Sequence, residues 1–312
     1  MHATNVGAVQ FPVQRWRRLG RVLDPTDRAS WMRTHAALPV VLSVDGDVVR
    51  FFVGGRDDQG RGQTGAVDCS LRDMQVTYVA PEPVVRFGEL GTYDDRGALP
   101  SCVVRTDDGW LLYHTGVLLG QTVPFYYAVG ASRSTDGERW EKVSQAPILD
   151  RDRVDPLLTA SPCILRDEGR LRMWYMSGVR WEIEDGRPKH YYHLRYAESD
   201  DGLHWRRDGR VCIDFKPGEY AIARPCVVRD GSVYRMWFPY RGDHYRIGYA
   251  ESADGLQWER FDEHVTFTSE PDEWETQMQC YPWIFDVAGD RYMAYNGNAY
   301  GATGFGLAVL ER

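Results

Sequence analysis

The sequence predicts an all-β fold, a five-bladed β-propeller whose ring is closed by an N-terminal strand that completes the C-terminal blade. Two repeated phrases support this prediction. The first resembles Ala-x-Ser-x-Asp-Gly-x-x-Trp and ends at Trp140, Trp205 and Trp258. The second is a proline followed by small or β-branched residues, and its copies are 61, 62, 63 and 57 residues apart. Five copies of a strand-rich unit are typical of a radial array of sheets. The prolines are Pro39, Pro100, Pro162, Pro225 and Pro282.

The third copy contains the clearest set of four strands. Its first strand covers 161–165, a turn follows at 167–169, and its second strand covers 171–176. We expect a long polar loop over 177–192, a third strand over 193–198, and a fourth strand that begins at Trp205. Asp201-Gly202 between alternating segments is a strong hairpin signal, so each unit is predicted to be an antiparallel sheet.

The fifth copy lacks a fourth strand, but the N-terminal segment matches one. Residues 16–24 read Trp-Arg-Arg-Leu-Gly-Arg-Val-Leu-Asp, which resembles 205–214, Trp-Arg-Arg-Asp-Gly-Arg-Val-Cys-Ile-Asp. We therefore expect 14–24 to be the outer strand of blade five, which protects a sheet edge. The chain is predicted to be one domain, 1–312. Its five blades are predicted at 33–85 (one), 94–150 (two), 157–214 (three), 220–268 (four) and 275–312 (five), with 14–24 added to blade five.

Composition excludes several classes of protein. The formal net charge of −8 argues against nucleic-acid binding. No apolar run approaches the ~18 residues of a membrane span. Residues 1–14 lack the pattern of a signal peptide, so we expect a cytoplasmic protein. None of the six cysteines forms a C-x-x-C pair, so we expect buried reduced thiols, no metal and no cofactor. The sequence does not predict an oligomeric state.

Strand direction sorts the polar residues onto two faces of the propeller. The Asp-Gly turns lie on one face, where the aspartates act as turn formers. The starts of the first strands and the loops between strands two and three meet on the other face. Mixed acidic, basic, amide and aromatic side chains converge there, as in a sugar pocket that needs donors, acceptors and ring surfaces. The candidate substrate-binding residues are His35, Arg56, Asp57, Trp181, Arg224, Tyr240, Arg241, Gln277, Tyr281, Asn296 and Asn298.

Three carboxylates are the candidate catalytic residues. Asp94 and Asp95 precede a first strand, where desolvation near the axis can tune a carboxylate as a base or nucleophile. Glu182 lies in a loop of ~15 residues, and long loops inside compact domains are usually lids or binding segments. The alternatives are a strand cap or a partner for Arg96 and Arg224 in the case of the aspartates, and a solvated loop charge in the case of Glu182.

The chain resembles the five-bladed propellers of glycoside hydrolase families 43 and 32 and the related family-130 phosphorylases. It is closer still to bacterial members of that superfamily associated with surface-polysaccharide gene clusters. The residues that carry the resemblance are Glu-Leu-Gly-Thr-Tyr-Asp-Asp at 89–95, Ala-Ile-Ala-Arg-Pro at 221–225 and Tyr-Asn-Gly-Asn at 295–298. The resemblance covers almost the whole chain and implies the fold more strongly than the reaction, because one fold hosts several chemistries.

The family-43 pattern implies an aspartate base in blade one, a second aspartate in blade two and a glutamate acid in blade three. Here blade one offers His35 at the corresponding position, blade two offers Asp94 and Asp95, and blade three offers Glu182 only in its long loop. In the closer relatives an acid is expected where Gln277 stands. The match to the hydrolase pattern is therefore partial.

These observations favour a carbohydrate-active enzyme of the glycoside hydrolase type that cleaves a glycosidic bond of a small-molecule or oligosaccharide substrate. Glu182 would protonate the leaving oxygen, while Asp94 or Asp95 would activate water or stabilise an oxocarbenium-like state. The arginines of the same face favour an anionic or phosphorylated sugar. Two alternatives remain: transfer to phosphate or to another sugar, with Arg224 and Arg241 holding the phosphate, and a non-catalytic sugar-binding propeller.

Overall fold

The computed structural model describes residues 13–312, most of which form strands. Residues 1–12, most of the segment assessed for a signal peptide, lie outside the described residues. The only helical turns in 13–312 are a 3₁₀ turn, Asp262–His264, and α1, Asn298–Gly301. The strands are β1 (Gln14–Leu23), β2 (Thr34–Asp45), β3 (Val48–Arg56), β4 (Gly62–Ser70), β5 (Gln75–Val79), β6 (Gly97–Thr106), β7 (Gly109–Leu119), β8 (Phe125–Ser134), β9 (Glu141–Lys142), β10 (Thr159–Asp167), β11 (Arg170–Glu184), β12 (Arg187–Ser199), β13 (Val211–Ile213), β14 (Ala221–Ile222), β15 (Cys226–Asp230), β16 (Val233–Arg241), β17 (Tyr245–Ser252), β18 (Glu259–Arg260), β19 (Val265–Phe267), β20 (Cys280–Val287), β21 (Asp290–Asn296) and β22 (Phe305–Leu310).

Antiparallel pairing divides these strands into five groups within the described residues. Group one is β2 to β5, group two is β6 to β9, and group three is β10 to β13. Group four is β14 to β18, in which β14 and β15 both pair with β16. Group five is β20 to β22 with β1 on its outer side. The groups follow the repeat that the sequence predicts.

Single parallel pairs join neighbouring groups. Gly62 pairs with Gly97, and Tyr192 pairs with Ala221. The result over residues 13–312 is three hydrogen-bonded sheets of eight, nine and five strands, none of which closes on itself. The described part of the chain contains no helix with the length and hydropathy that a bilayer crossing requires.

Each repeat proline interrupts the first strand of its group. In β10 the register shifts between Ala160 and Cys163, and comparable shifts occur in β2, β6 and β20. In group four the interruption separates β14 from β15 around Arg224. In β6 the irregularity follows Pro100, and Leu99 stays paired with Thr115. In β2, β10 and β20 the proline donates no N–H to the ladder, so the strand bulges and the preceding residue leaves the ladder. That residue has a positive φ of 48° at Ser161 and 56° at Tyr281.

Three buried thiols connect the first strands of successive groups. Cys102 Sγ accepts a hydrogen bond from the backbone N–H of Ile164 at 3.3 Å. Cys163 and Cys226 accept equivalent bonds from the following groups at 3.2 Å. All six cysteines are free and buried, as expected for small apolar residues at a crowded position. The first strands of groups two to five are therefore direct neighbours.

Group five contains both ends of the described chain and meets group one through the Asn296 side chain. β1 pairs antiparallel with β22, and Trp16 of β1 is completely buried. The Asn296 side chain, at the end of β21, accepts a hydrogen bond from Leu38 N–H at 2.8 Å and donates one to the Ala36 carbonyl at 2.7 Å. An amide that both donates to and accepts from β2 fixes the last group against the first.

The prediction of a loop over 177–192 is wrong. β11 and β12 continue as a hairpin through pairs such as Arg180 with Tyr191, and the turn lies at Asp185-Gly186. Both turn residues have positive φ, 51° and 75°, the geometry that two-residue hairpin loops prefer. The polar composition of 177–192 is typical of a loop, but the segment forms the paired ends of β11 and β12, which extend beyond the rest of the sheet.

Candidate functional site

A cavity of about 280 Å³, here called the central cavity, lies where the five groups converge. Every group contributes side chains to it, which is expected when first strands gather around one point. The lining residues are Ala37, Leu38, Arg56, Leu99, Thr115, Val117, Phe125, Tyr127, Ser161, Met176, His190, Tyr192, Ala223, Arg241, Tyr281 and Tyr300.

The residues before the repeat prolines form one part of this lining. They are Leu38, Leu99, Ser161 and Tyr281, and group four contributes Ala223 one position earlier. At Leu38, Ser161 and Tyr281 the bulge turns the residue out of its ladder toward the shared centre. Leu99 reaches the cavity from a paired position in β6. The backbone irregularities at the repeat prolines thus bring several residues into the cavity lining.

Stacked aromatic rings form a second part of the lining. Phe125 and Tyr127 stack with ring centroids 4.4 Å apart, and His190 and Tyr192 stack at 4.7 Å. Phe125 also contacts His190 at 5.6 Å, so the two stacks are continuous. Trp181 lies behind this wall, 5.2 Å from Phe125 and outside the lining. Such a wall offers ring faces and hydroxyl groups together, as sugar binding requires.

Two arginines supply the charge of the central cavity. Arg241 donates from Nη1 to Tyr300 Oη at 2.7 Å, and its buried Nε has no hydrogen-bond partner in the structure. Arg56 is exposed at the edge of the cavity. Neither arginine has an ion pair with a described carboxylate, and the lining contains no Asp or Glu. Two guanidinium groups without a counter-ion favour an anionic ligand.

The histidine of the cavity is uncharged at neutral pH. Burial, with Arg241 and Lys189 nearby, lowers the pKa of His190 to about 4. Burial and the charge of Arg56 lower the pKa of His35 to about 4 as well, although His35 does not line the cavity. The positive charge at this site therefore comes from arginine over the physiological pH range.

Arg224 lies next to the lining and not in it. It is buried, and it donates to the carbonyls of Tyr281 at 2.8 Å and Pro39 at 2.7 Å. Its Nε has no hydrogen-bond partner in the structure. Burial lowers its pKa to about 10, so it stays charged at neutral pH. Arg224 thus ties groups four, five and one together and adds a third positive charge close to the cavity.

The remaining predicted binding residues form structural contacts away from the lining. Asp57 accepts from the Gln59 and Arg61 backbone N–H groups, both at 2.9 Å, and closes a turn. Asn298 accepts from Gln277 N–H at 2.9 Å, and Asn296 fixes β21 to β2. Tyr240, one residue before Arg241 on β16, lies on the opposite side of the strand, with the Arg260 guanidinium 5.3 Å from its ring.

The three candidate catalytic carboxylates do not line the central cavity. Asp94 is 1% exposed and forms an ion pair with Lys142. Asp95 accepts from Gly91 N–H at 3.0 Å through one oxygen, and the other is buried without a partner in the structure. Glu182 is exposed on the hairpin, where a hydrogen bond from Arg180 lowers its pKa, opposite to the direction that a general acid needs.

Asp94 belongs to a repeated structural set. A buried carboxylate stands six or seven residues before four of the repeat prolines, and each pairs with a cation in the outer part of its own group. Each pair joins the chain segment that enters a group to the outer edge of that group. The pairs are Asp94 with Lys142, Asp155 with Arg207 at 2.9 Å, Glu219 with Arg260 at 2.8 Å, and Glu275 with Arg18 at 3.1 Å.

Sequence reasoning found Arg56, Arg241 and Tyr281 among the lining residues and missed most of the others. The missing signal was the position directly before each repeat proline, which marks the cavity at Leu38, Leu99, Ser161 and Tyr281. No group of three or more His, Cys, Asp or Glu residues within 13–312 is arranged to hold a metal ion.

Comparison with known proteins identifies close relatives in one genus. No family model matches the chain. The uncharacterised proteins Rv1502 (strain ATCC 25618 / H37Rv) and MT1551 (strain CDC 1551 / Oshkosh) of Mycobacterium tuberculosis are each 42% identical to it over 298 residues. That alignment covers 95% of the chain and 99% of each relative.

Several solved structures share the fold. A glycosyl hydrolase from Bacteroides ovatus has a TM-score of 0.68 at 16% identity, covering 94% of this chain and 93% of that one. A thermostable family-43 glycoside hydrolase has a TM-score of 0.64 at 13% identity, covering 89% and 88%. The β-1,2-mannobiose phosphorylase from Listeria innocua, in complex with β-1,2-mannobiose, has a TM-score of 0.65 at 11% identity, covering 88% and 89%.

At these identities the likeness to solved structures establishes the fold and no more. It confirms the resemblance to glycoside hydrolase and phosphorylase propellers that the sequence motifs indicate. The chain therefore belongs to the family of Mycobacterium tuberculosis Rv1502 and MT1551, and it has the β-propeller fold of family-43 glycoside hydrolases.

Proposed function

We propose that the protein binds an anionic or phosphorylated sugar in the central cavity. The observation that carries this proposal is a lining with two guanidinium groups, Arg56 and Arg241, and no carboxylate. A guanidinium binds a phosphate or carboxylate through paired N–H donors. The unpartnered Nε of Arg241 is one donor available for such a bond.

The aromatic wall would hold the sugar ring. Phe125, Tyr127 and Tyr192 present ring surfaces, and Tyr281 and Tyr300 add hydroxyl groups from group five. Burial raises the pKa of Tyr127 to about 12, so its hydroxyl stays protonated and can donate to a ligand oxygen. Aromatic surface with few polar groups of fixed position is the usual composition of a small-molecule site.

The proposal takes the five groups as blades of one closed propeller, with β1 as the outer strand of blade five and the domain limits predicted from the sequence. The contact of Asn296 with β2 and the pairing of β1 with β22 support this arrangement. In such a ring the central cavity is the axial mouth, the position at which polar loops from all blades meet.

A second candidate function is transfer of a glycosyl group to or from phosphate. The specific observation that favours it is the pair of arginines where a hydrolase would need two carboxylates. Phosphate carries its own nucleophilic oxygen, so this reaction needs a cationic site for phosphate in place of a carboxylate base. Hydrolysis through Asp94, Asp95 and Glu182 would require these side chains to reach a ligand from positions outside the lining.

Calorimetric titration tests the binding proposal. The wild-type protein would be titrated with hexose phosphates, hexuronates and the parent neutral hexoses. We expect measurable binding of the charged sugars only, and a loss of about tenfold or more in Arg56→Met and Arg241→Met. Arg96→Met is the matched control, because Arg96 bonds to the Gln59 carbonyl at 3.3 Å and lies outside the lining. Equal affinity for neutral and charged sugars would refute the proposal.

Turnover assays distinguish glycosyl transfer to or from phosphate from hydrolysis. Products from a glycan panel would be measured with and without inorganic phosphate. Dependence on phosphate supports glycosyl transfer. Phosphate-independent cleavage that is lost in Asp95→Asn or Glu182→Gln would establish the hydrolase mechanism instead. Binding without turnover under both conditions would assign the protein as a sugar-binding propeller.

A further inference from the structure

Two adjoining cavities lie on the outer flank between groups one and two. Their volumes are about 530 Å³ and 430 Å³, and they share Pro83, Val84 and Trp140. Together they are called the flank groove. The groove shares no lining residue with the central cavity. It is therefore a separate candidate site.

Group two departs from the internal repeat at this groove. In group four, Ala250 pairs with Arg260, whose guanidinium donates twice to Glu219, at 2.8 and 2.9 Å. In group two, Ser132 occupies the position of Ala250, and Lys142 occupies that of Arg260. A single ammonium fills less space than a planar guanidinium, so space remains beside Asp94.

A buried hydroxyl lies at this departure. Ser132 is completely buried and borders the groove, and its Oγ has no hydrogen-bond partner in the structure. Burying a hydroxyl without a hydrogen-bond partner destabilises the folded state, so Ser132 Oγ is expected to bond to a partner from outside the protein. Thr92 and Asp94 border the same cavity, and the Asp94 carboxylate is already neutralised by Lys142. Of the other charged lining residues, Glu82 pairs with Arg86 and Glu138 pairs with Arg50, which leaves one acid, Glu89, and one base, Arg139. With the charges balanced, the polar groups here suit a ligand that both donates and accepts hydrogen bonds and carries no charge.

Aromatic side chains are spaced along the groove. Phe87 lies in the larger cavity, Trp140 borders both cavities, and Tyr78 lies in the smaller one with 44% of its surface exposed. Aromatic rings at intervals with polar groups between them match an extended chain of pyranose rings. We infer that the flank groove is a second carbohydrate site, which binds a neutral oligosaccharide chain apart from the central cavity.

Titration with malto-, cello-, manno- and xylohexaose, followed by Trp fluorescence and calorimetry, tests this inference. We expect binding of at least one hexasaccharide, weakened about fivefold by Tyr78→Ala and weakened as well by Ser132→Val, which removes the hydroxyl and fills the space. Tyr126→Ala is the matched control. The Arg50 guanidinium lies 5.9 Å from the Tyr78 ring and the Arg151 guanidinium 4.7 Å from the Tyr126 ring, but Tyr126 borders neither cavity. It should bind as the wild type does.

The Arg241→Met variant distinguishes hexasaccharide binding in the flank groove from binding in the central cavity. It should retain hexasaccharide binding in the flank groove even if its affinity for charged sugars falls. No binding of any hexasaccharide up to about 10 mM, or binding unchanged in both Tyr78→Ala and Ser132→Val, would overturn the inference. Hexasaccharide binding that is lost only in Arg241→Met would place the ligand in the central cavity and would also overturn it.

Discussion

The Lys142 ammonium donates a hydrogen bond to Asp94 Oδ2 and thereby ties the segment that enters group two to the outer strand of that group. Asp94 Oδ1 accepts a second bond from Thr92 Oγ1 at 3.0 Å. Both carboxylate oxygens are thus engaged within the protein. The same contact recurs in groups three, four and five, where Asp155, Glu219 and Glu275 pair with arginines.

Asp94→Asn is therefore expected to lower stability and to leave binding of charged sugars in the central cavity intact, because Asp94 does not line that cavity. Removing one charge of a buried pair leaves the other uncompensated, and here the cost should be about 2–4 kcal/mol in the free energy of unfolding. Urea denaturation measures this loss, and Asp95→Asn, which removes no ion pair, is the control. Loss of charged-sugar binding or of turnover in Asp94→Asn at unchanged stability would instead make Asp94 a functional residue of the central cavity.

Stability should fall as the pH falls below about 6.5. Burial, with Lys142 nearby, lowers the pKa of His114 to about 3. The unfolded chain has an ordinary histidine pKa near 6.5, so between these values it binds a proton that the folded state does not. The contribution of His114 between pH 7 and pH 5 is about 2 kcal/mol.

Urea denaturation of the wild type and of His114→Gln at both pH values measures that contribution. The variant should lose less stability than the wild type on acidification. Parallel losses in the two proteins would show that His114 is not responsible for the pH dependence.

The N-terminal strand is expected to be essential to group five. Trp16 is completely buried, and its ring meets Trp237 edge to face at 6.5 Å. Trp16→Ala should cost about 3–5 kcal/mol, whereas Arg17→Ala on the exposed side of the strand should change stability by less than about 0.5 kcal/mol. Hydrogen exchange of the β22 amides should accelerate in Trp16→Ala. Unchanged exchange would mean that β22 does not depend on β1.

The hairpin of β11 and β12 should support the central cavity from behind. Trp181 contacts Phe125 at 5.2 Å and His190 at 5.8 Å, and both of these line the cavity. Trp181→Ala should weaken binding of the charged sugar about threefold to tenfold, because the aromatic wall loses its packing. Calorimetry of Ile183→Ala, 73% exposed at the hairpin tip, is the control. Equal effects of the two substitutions would contradict a supporting role for Trp181.

The sequence predicted the strand order well because the repeat is carried by local signals. Asp-Gly turns and repeat prolines specify backbone geometry within a few residues. The match of 16–24 to 205–214 indicated the strand β1, but the strand expected to begin at Trp205 is only a bridge at Arg206 followed by β13. The sequence was misleading at 177–192, where charged residues suggested a loop. The Asp185-Gly186 turn was the signal that would have indicated the hairpin.

The candidate site was harder to predict because it depends on contacts between strand groups that are far apart in the sequence. Arg224 and Asn296 were expected to face a ligand, but they bond to backbone groups of β2 and β20 far away in the sequence. Asp94 was expected near the axis, but its partner Lys142 lies 48 residues later on an outer strand. A polar residue close to a strand start has the same local pattern whether it binds a ligand or a neighbouring sheet.

The central claim is that Arg56 and Arg241 hold the charged group of a sugar. The most direct test is a crystal structure after soaking with the charged sugar that binds best in the titrations. The account predicts density in the central cavity, with the phosphate or carboxylate oxygens within about 3.2 Å of nitrogens of both guanidinium groups and the ring against Phe125 or Tyr127. A sugar bound elsewhere, or one whose charged group points to solvent away from both arginines, would contradict it.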